Sequence, residues 1–174
     1  MAGTPHDQAF LASRWLRVQP GDVWAEFAQC WMAFNALYNA VPRNRNGEAG
    51  AIDTAISVFF EDASAKACLD AVDKDSIAAL IAIPPGNDLY AANDPRYRET
   101  TGRLIKTFSG SQNAVERLSC LMRVVYQVRC NLLHGSKDPE IFRDRTLVSA
   151  SLPIVRTVTD HLARLMERHH RLPK

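Results

Sequence analysis

The residues best suited to chemistry stand close together in one segment, Tyr126-Gln127-Val128-Arg129-Cys130-Asn131-Leu132-Leu133-His134-Gly135-Ser136-Lys137-Asp138. Histidine takes or gives a proton near neutral pH. Arginine presents a planar fork of donors that fits a phosphate. An Asn side chain both donates and accepts, so Asn131 can orient either partner. Asn131 and His134 are three apart and share a helix face. Arg129 and His134 are five apart, about 140° around a helix of 3.6 residues per turn, so they do not share one stripe. A two-fold mate laying the same helix end alongside brings two copies of each residue together, and the spacing therefore favours a dimeric site. A blander reading stands beside this one. A histidine at a helix C-terminus is favoured by the helix dipole by about 0.3–1 kcal/mol. Asn131 then reads as a buried hydrogen-bonding residue, and Arg129 as the partner of an acid on another helix.

The elements that must position these residues are helical. From Val23 to Val41 the apolar residues Val23, Phe27, Cys30, Trp31, Phe34, Leu37, Tyr38 and Val41 fall at steps of three and four, the mark of one buried helix face. Asp22 is the N-cap candidate and Pro42 the stop. Residues 43–50 read as a polar loop. Further helices are expected over about 51–60, over about 64–83 with a break near Lys74-Asp75, and over about 98–108. The stretch 84–97, PPGNDLYAANDPRY, is the least regular part of the chain. Asn113 to His134 is the most regular, with Val115, Leu118, Met122, Val125 and Tyr126 at helical spacing and Gly135 placed as its C′ residue. A last helix is expected from near Asp144 to about His169, with Pro153 kinking or splitting it. No strand alternation and no fixed-period repeat is present. The expected architecture is an all-α bundle of four or five main helices, one domain over residues 1–174.

Composition agrees with that class. The 174 residues are 47% hydrophobic and 23% charged, the balance of a globular chain able to bury its own core. No stretch of about 18 uncharged apolar residues exists, so no membrane span is expected. The N-terminal residues lack the pattern of a secretory signal. Cys30, Cys68, Cys120 and Cys130 form no C-x-x-C pair, which argues against a zinc site and a disulfide framework and for a reducing, cytoplasmic setting with inert thiols. The net charge of +2 hides an asymmetry, with −5 over residues 1–90 and +7 over residues 91–174. A basic half suits an anionic partner such as RNA, although a solvated basic surface has the same composition.

Other motifs point away from cofactors. No H-E-x-x-H, no phosphate-binding G-x-x-x-x-G-K-[ST] and no carboxylate cluster on one helix face is present, so no metal and no cofactor is expected. Asp53, Glu61, Asp62, Asp70, Asp73 and Asp75 read as exposed helix positions. His169 and His170 read as a basic tail with Arg168 and Arg171. Asn35 on the first helix has two readings, a residue lining the cleft and, favoured over it, a buried amide satisfied by backbone.

The segment VVYQVRCNLLHGSKDPEIFRDRTLV resembles the signature of HEPN domains, in which an R-x(4–6)-H motif closes a long helix. Here the motif is Arg129, four residues, then His134, with Asn131 inside and Gly135 after. Arg143-Asp144 followed by Leu147-Val148 resembles the opening of that family's final helix, and WMAFNALYN, from Trp31 to Asn39, is similar to the first-helix motif of one subgroup. Cys130 departs from the polar residue many members carry beside the Arg, and residues 43–112 hold no diagnostic motif. The resemblance implies an all-helical homodimer that cuts RNA without a metal, its two motifs facing each other. The ribose 2′-OH attacks the adjacent phosphate and leaves a cyclic phosphate. His134 then acts as general acid or base, Arg129 stabilises charge on the transition state, and Asn131 orients His134 or holds a phosphate oxygen. Lys137, Arg143 and Arg145 become secondary RNA contacts.

Two other functions are compatible with the same fold. One is a non-catalytic helical dimer that binds RNA, a nucleotide or a protein. The other is the toxin of a toxin–antitoxin pair or defence system, silenced by a nucleotidyltransferase-type antitoxin that modifies a tyrosine near the motif. No tyrosine follows His134, and Tyr126 lies upstream, which supports that regulation less.

Overall fold

A computed structural model describes residue 9 and residues 21–41, 47–87, 90–133 and 141–171. Among these it is all-helical, with seven helices and no strand. They are α1 (Val23–Tyr38), α2 (Gly47–Phe59), α3 (Asp62–Ala71), α4 (Lys74–Ala82), α5 (Arg96–Gly110), α6 (Ala114–Leu133) and α7 (Phe142–Arg171). The all-α expectation holds, with more helices than the four or five expected. Among the described residues no helix is long and apolar enough to cross a membrane.

Local chemistry sets the boundaries. Asp22 caps α1 as expected, its Oδ1 accepting from the Trp24 N–H at 2.7 Å. The helix ends at Tyr38, before the expected Val41, and Pro42 lies outside the described residues. Gly47 opens α2 four residues earlier than the pattern of apolar residues suggests, within the segment expected to be a loop. Its φ of +66° is left-handed, a conformation open to glycine and strained for residues with a Cβ. Glu48 then sits in the first turn, where the helix dipole favours an acid.

The expected break after α3 falls at Val72-Asp73, one residue before the expected Lys74. There Asp73 accepts from the Ser76 N–H at 2.9 Å and from its hydroxyl at 2.6 Å, starting α4. Asp62 also has a capping role, its Oδ1 accepting from Ala114 N–H, the first residue of α6, at 2.7 Å. The Glu61 N–H donates to the Ser64 hydroxyl at 3.0 Å. These acids are exposed, as expected, and Asp62 and Asp73 also accept from helix-start N–H groups that would otherwise lack a partner.

The long helices α6 and α7 organise the rest. The first packs against α2, α3, α5 and α7, and the second against α1, α2, α3, α4 and α6. The α6 face Leu118, Leu121, Met122, Val125 and Val128 is buried, and so is the α7 face Leu147, Ile154, Val155, Val158, Leu162 and Met166. Each such side chain stabilises the fold by about 1.5–3 kcal/mol through burial. One contiguous core cluster draws from all seven helices. Pro153 does not split α7, which stays helical across it. The ring removes the donor to the Ser149 carbonyl, and Ser149 is exposed, so water can replace it.

Asp53 of α2 binds Arg123 of α6 at 2.7 Å. Burial raises the Asp53 carboxyl above its ordinary value, and Arg123 pulls it part of the way back. All four cysteines are free; Cys30, Cys68 and Cys120 are buried and Cys130 is half-buried. Burial pushes the Cys68 thiol up to about 12, so it stays protonated and inert.

Candidate functional site

Arg129 lies in the last two turns of α6, on the side that faces α1 and α2. Its side chain is 21% exposed. The guanidinium Nη1 donates to Glu48 Oε2 at 3.0 Å, which joins the end of α6 to the start of α2. Behind it stand two aromatic faces, with Cζ at 5.7 Å from the Trp31 ring centre and 5.9 Å from that of Tyr126. Both distances are within the range of cation–π attraction. Trp31 in turn packs edge-on to Phe34 at 5.4 Å and Phe34 to Tyr38 at 5.1 Å, so the cation rests on an aromatic wall built by α1.

The polar groups of this cluster are unequally satisfied. Glu48 Oε1 accepts a short hydrogen bond from the Tyr38 hydroxyl. Burial pushes the Tyr38 hydroxyl pKa well up, Glu48 pushes it further, and Arg129 pulls it back. Burial likewise raises the Tyr126 hydroxyl, which lies beside the Cys130 thiol. Two donors of this cluster, Arg129 Nε and the Trp31 indole Nε1, are buried with no hydrogen-bond partner of good geometry among the described residues. A buried unsatisfied donor costs about 1–3 kcal/mol. The resting arrangement of Arg129 is therefore incompletely paired.

Asn131 is 2% exposed and works differently. Its Nδ2 donates to the Gly86 carbonyl at 2.6 Å, and its Oδ1 accepts from Gln127 Nε2 at 2.7 Å. Arg143, at the start of α7, donates from Nη2 to the Pro84 carbonyl at 3.3 Å and stands 3.7 Å from Asp144. Thr101 of α5 donates to the Pro85 carbonyl at 2.8 Å. The stretch expected to be irregular is thus fastened here, each of three successive carbonyls by a side chain from a different helix. Arg145 is exposed and lines a groove between α4 and α7 with Asp73, Asp75 and Phe142. His134 and Lys137 lie outside the described residues, as does Gly135.

Among the six site residues expected from sequence, the structure therefore places four. Arg129 and Asn131 stand on the same helix end, and Asn131 and Arg143 meet through the Pro84–Gly86 segment. Arg145 faces away into its own groove. Among the described residues no three His, Cys, Asp or Glu side chains gather as a metal site would need. Sequence reasoning missed Glu48 and Tyr38. By sequence Tyr38 reads as one residue of an apolar face and Glu48 as part of a polar loop, and no spacing rule links either to a residue on α6. Asn35, expected to be satisfied by backbone, accepts instead from Asn39 Nδ2 at 2.7 Å. His169, read as part of a basic tail, packs edge-on to Phe59 at 5.8 Å.

What the cluster can do chemically follows from Arg129. It offers a fixed cation only partly engaged by Glu48, held on an aromatic wall and five residues before a histidine in the sequence. That set suits an anion with several oxygens, such as a phosphodiester. Comparison with protein-family models, with curated proteins and with solved structures finds no match to the chain.

Proposed function

We propose that the chain is a metal-independent endoribonuclease of the HEPN type, acting as a homodimer with the Arg129…His134 motifs of two copies facing each other. The observation that carries this reading is Arg129 itself. A half-buried arginine near the end of a long helix leaves its Nε unpaired among the described residues while its charge is held in place by Trp31, Tyr126 and Glu48. In the reaction the ribose 2′-oxygen forms a bond to the adjacent phosphorus, and the bond from phosphorus to the 5′-oxygen breaks. One proton leaves the 2′-OH and one is delivered to the departing 5′-oxygen. His134 makes one of these transfers. Arg129 meets the charge that builds on the phosphoryl oxygens. The basic C-terminal half, at +7, draws the RNA in. A defence or toxin–antitoxin setting, with a nucleotidyltransferase-type antitoxin, belongs to the same proposal.

The test is a cleavage gel in excess EDTA, with wild-type and His134→Ala protein and both structured and single-stranded RNA. Cleavage by wild type alone, leaving cyclic-phosphate ends, is expected. Strict dependence on a divalent ion, or full cleavage by His134→Ala, overturns the mechanism.

A second reading has its own observation. Asn131 is committed to the Gly86 carbonyl and Gln127, and Glu48 offsets the charge of Arg129. Both contacts serve a helical dimer that binds RNA or a protein without cutting it. In that case neither protein cleaves in the gel, while RNA is still retained in a binding assay.

A further inference from the structure

Among the described residues Glu48 is the acid paired with Arg129, and an incoming anion would have to replace it. The pair is a single bond, Nη1 to Oε2 at 3.0 Å, and Nε is left without a partner. A carboxylate and a phosphate present similar oxygens to a guanidinium, and both are bound best by two parallel donors. Here only part of that fork is engaged. Glu48 is held ready by the Tyr38 hydroxyl on its other oxygen. The aromatic wall of Trp31 and Tyr126 keeps the guanidinium from turning back into the core. The two side chains are 21% and 28% exposed, so the pair is reached from solvent.

We propose that Glu48 holds the place of an RNA phosphate on Arg129, so that RNA docks at this end of α6 by exchanging a phosphodiester for the Glu48 carboxylate. This rests on the reading of the cluster as an RNA site. At rest the pair is neutral and the arginine is capped. On binding, the phosphate takes the place of the carboxylate on the Nη edge of the fork, and Glu48 swings toward solvent. Glu48 is then a positioning residue that sets how strongly the site grips RNA, and it takes no part in bond making.

The test is fluorescence anisotropy with a labelled single-stranded 2′-O-methyl RNA oligonucleotide, which lacks the nucleophile and is not cut. Glu48→Gln keeps the length of the side chain and removes its charge. It is expected to bind about tenfold tighter than wild type, with a salt dependence steeper by about one phosphate contact. Adding Arg129→Ala to Glu48→Gln is expected to cancel the gain. Equal or weaker binding by folded Glu48→Gln, or no binding by either protein, overturns the proposal. Should Glu48→Gln fail to fold, Tyr38→Phe removes the hydroxyl that holds the carboxylate and keeps the ring. A smaller gain in the same direction is then expected, and no gain overturns the exchange. Tighter binding together with no cleavage of ordinary RNA leaves the exchange standing and sinks the nuclease reading.

Discussion

The side-chain amide of Asn131 donates to the carbonyl of Gly86 at 2.6 Å, across 45 residues of chain. This bond ties the end of α6 to the segment that leaves α4. Thr101 and Arg143 secure the two preceding carbonyls, and the Asn87 N–H donates to the Tyr97 carbonyl at 2.7 Å. A segment rich in proline has few N–H groups of its own with which to make secondary structure. Its carbonyls are instead met by side chains from α5, α6 and α7. The helix end that carries Arg129 is therefore braced from the side.

Asn131→Ala removes the donor and leaves a buried carbonyl unpaired. The expected loss is about 1–3 kcal/mol. For a chain of this length that lowers Tm by roughly 2–4 °C per kcal/mol. Thermal melts followed by circular dichroism measure it. An unchanged Tm means that the amide does not brace the segment.

Gly86→Ala tests the same brace from the other side. A Cβ built on Gly86 would stand 2.0–2.4 Å from atoms of the Tyr97 ring. The ring must move, and overpacking of this kind costs about 1–3 kcal/mol. Tyr97→Ala makes room, so the double variant is expected to lose less than the sum of the two single losses. Additive losses would show that the close approach is not what constrains Gly86.

The period of the apolar residues was enough to find α1 and α6, because each turns one continuous stripe toward the core. Leu118, Met122 and Val125 are all fully buried. The same pattern could not find the start of α2. There Gly47 and Glu48 are polar or small, and the helix begins because of a left-handed glycine and a favoured acid rather than an apolar stripe. Arg129 was legible as a costly residue on an inward-turning helix. Its partner was not, because Glu48 is 81 positions away and only the fold brings it near. Asp62 is the exposed acid that the sequence suggests, and its acceptor role is hidden for the same reason, since it depends on Ala114 arriving from a distant helix.

The α4 cap makes a prediction about pH. Hydrogen bonds from the Ser76 hydroxyl and N–H hold the Asp73 carboxyl below its ordinary value of 3.8. A lowered carboxyl stabilises the fold when ionised, so the contribution is present above that value and is lost as pH falls through the folded-state pKa. Asp73→Ala is therefore expected to melt below wild type at about pH 7, with the gap closing toward about pH 3. A gap of the same size at both pH values assigns the effect to something other than the ionised cap.

Arg129→Ala separates the two roles of the cation. The pair with Glu48 is partly exposed, and Tyr38 still holds the carboxylate when the arginine is gone. The stability lost is then about 1–2 kcal/mol, a fall in Tm of a few degrees. Cleavage of RNA is expected to fall by about a hundredfold or more, since the arginine meets charge that develops in the transition state. Arg129→Lys keeps the charge but loses the fork, and its rate is expected between the two. Melting and a cleavage time course on the same preparations decide the matter. A variant that no longer folds makes Arg129 a structural ion-pair partner. A folded Arg129→Ala that cuts RNA at the wild-type rate removes the arginine from the proposed transition state.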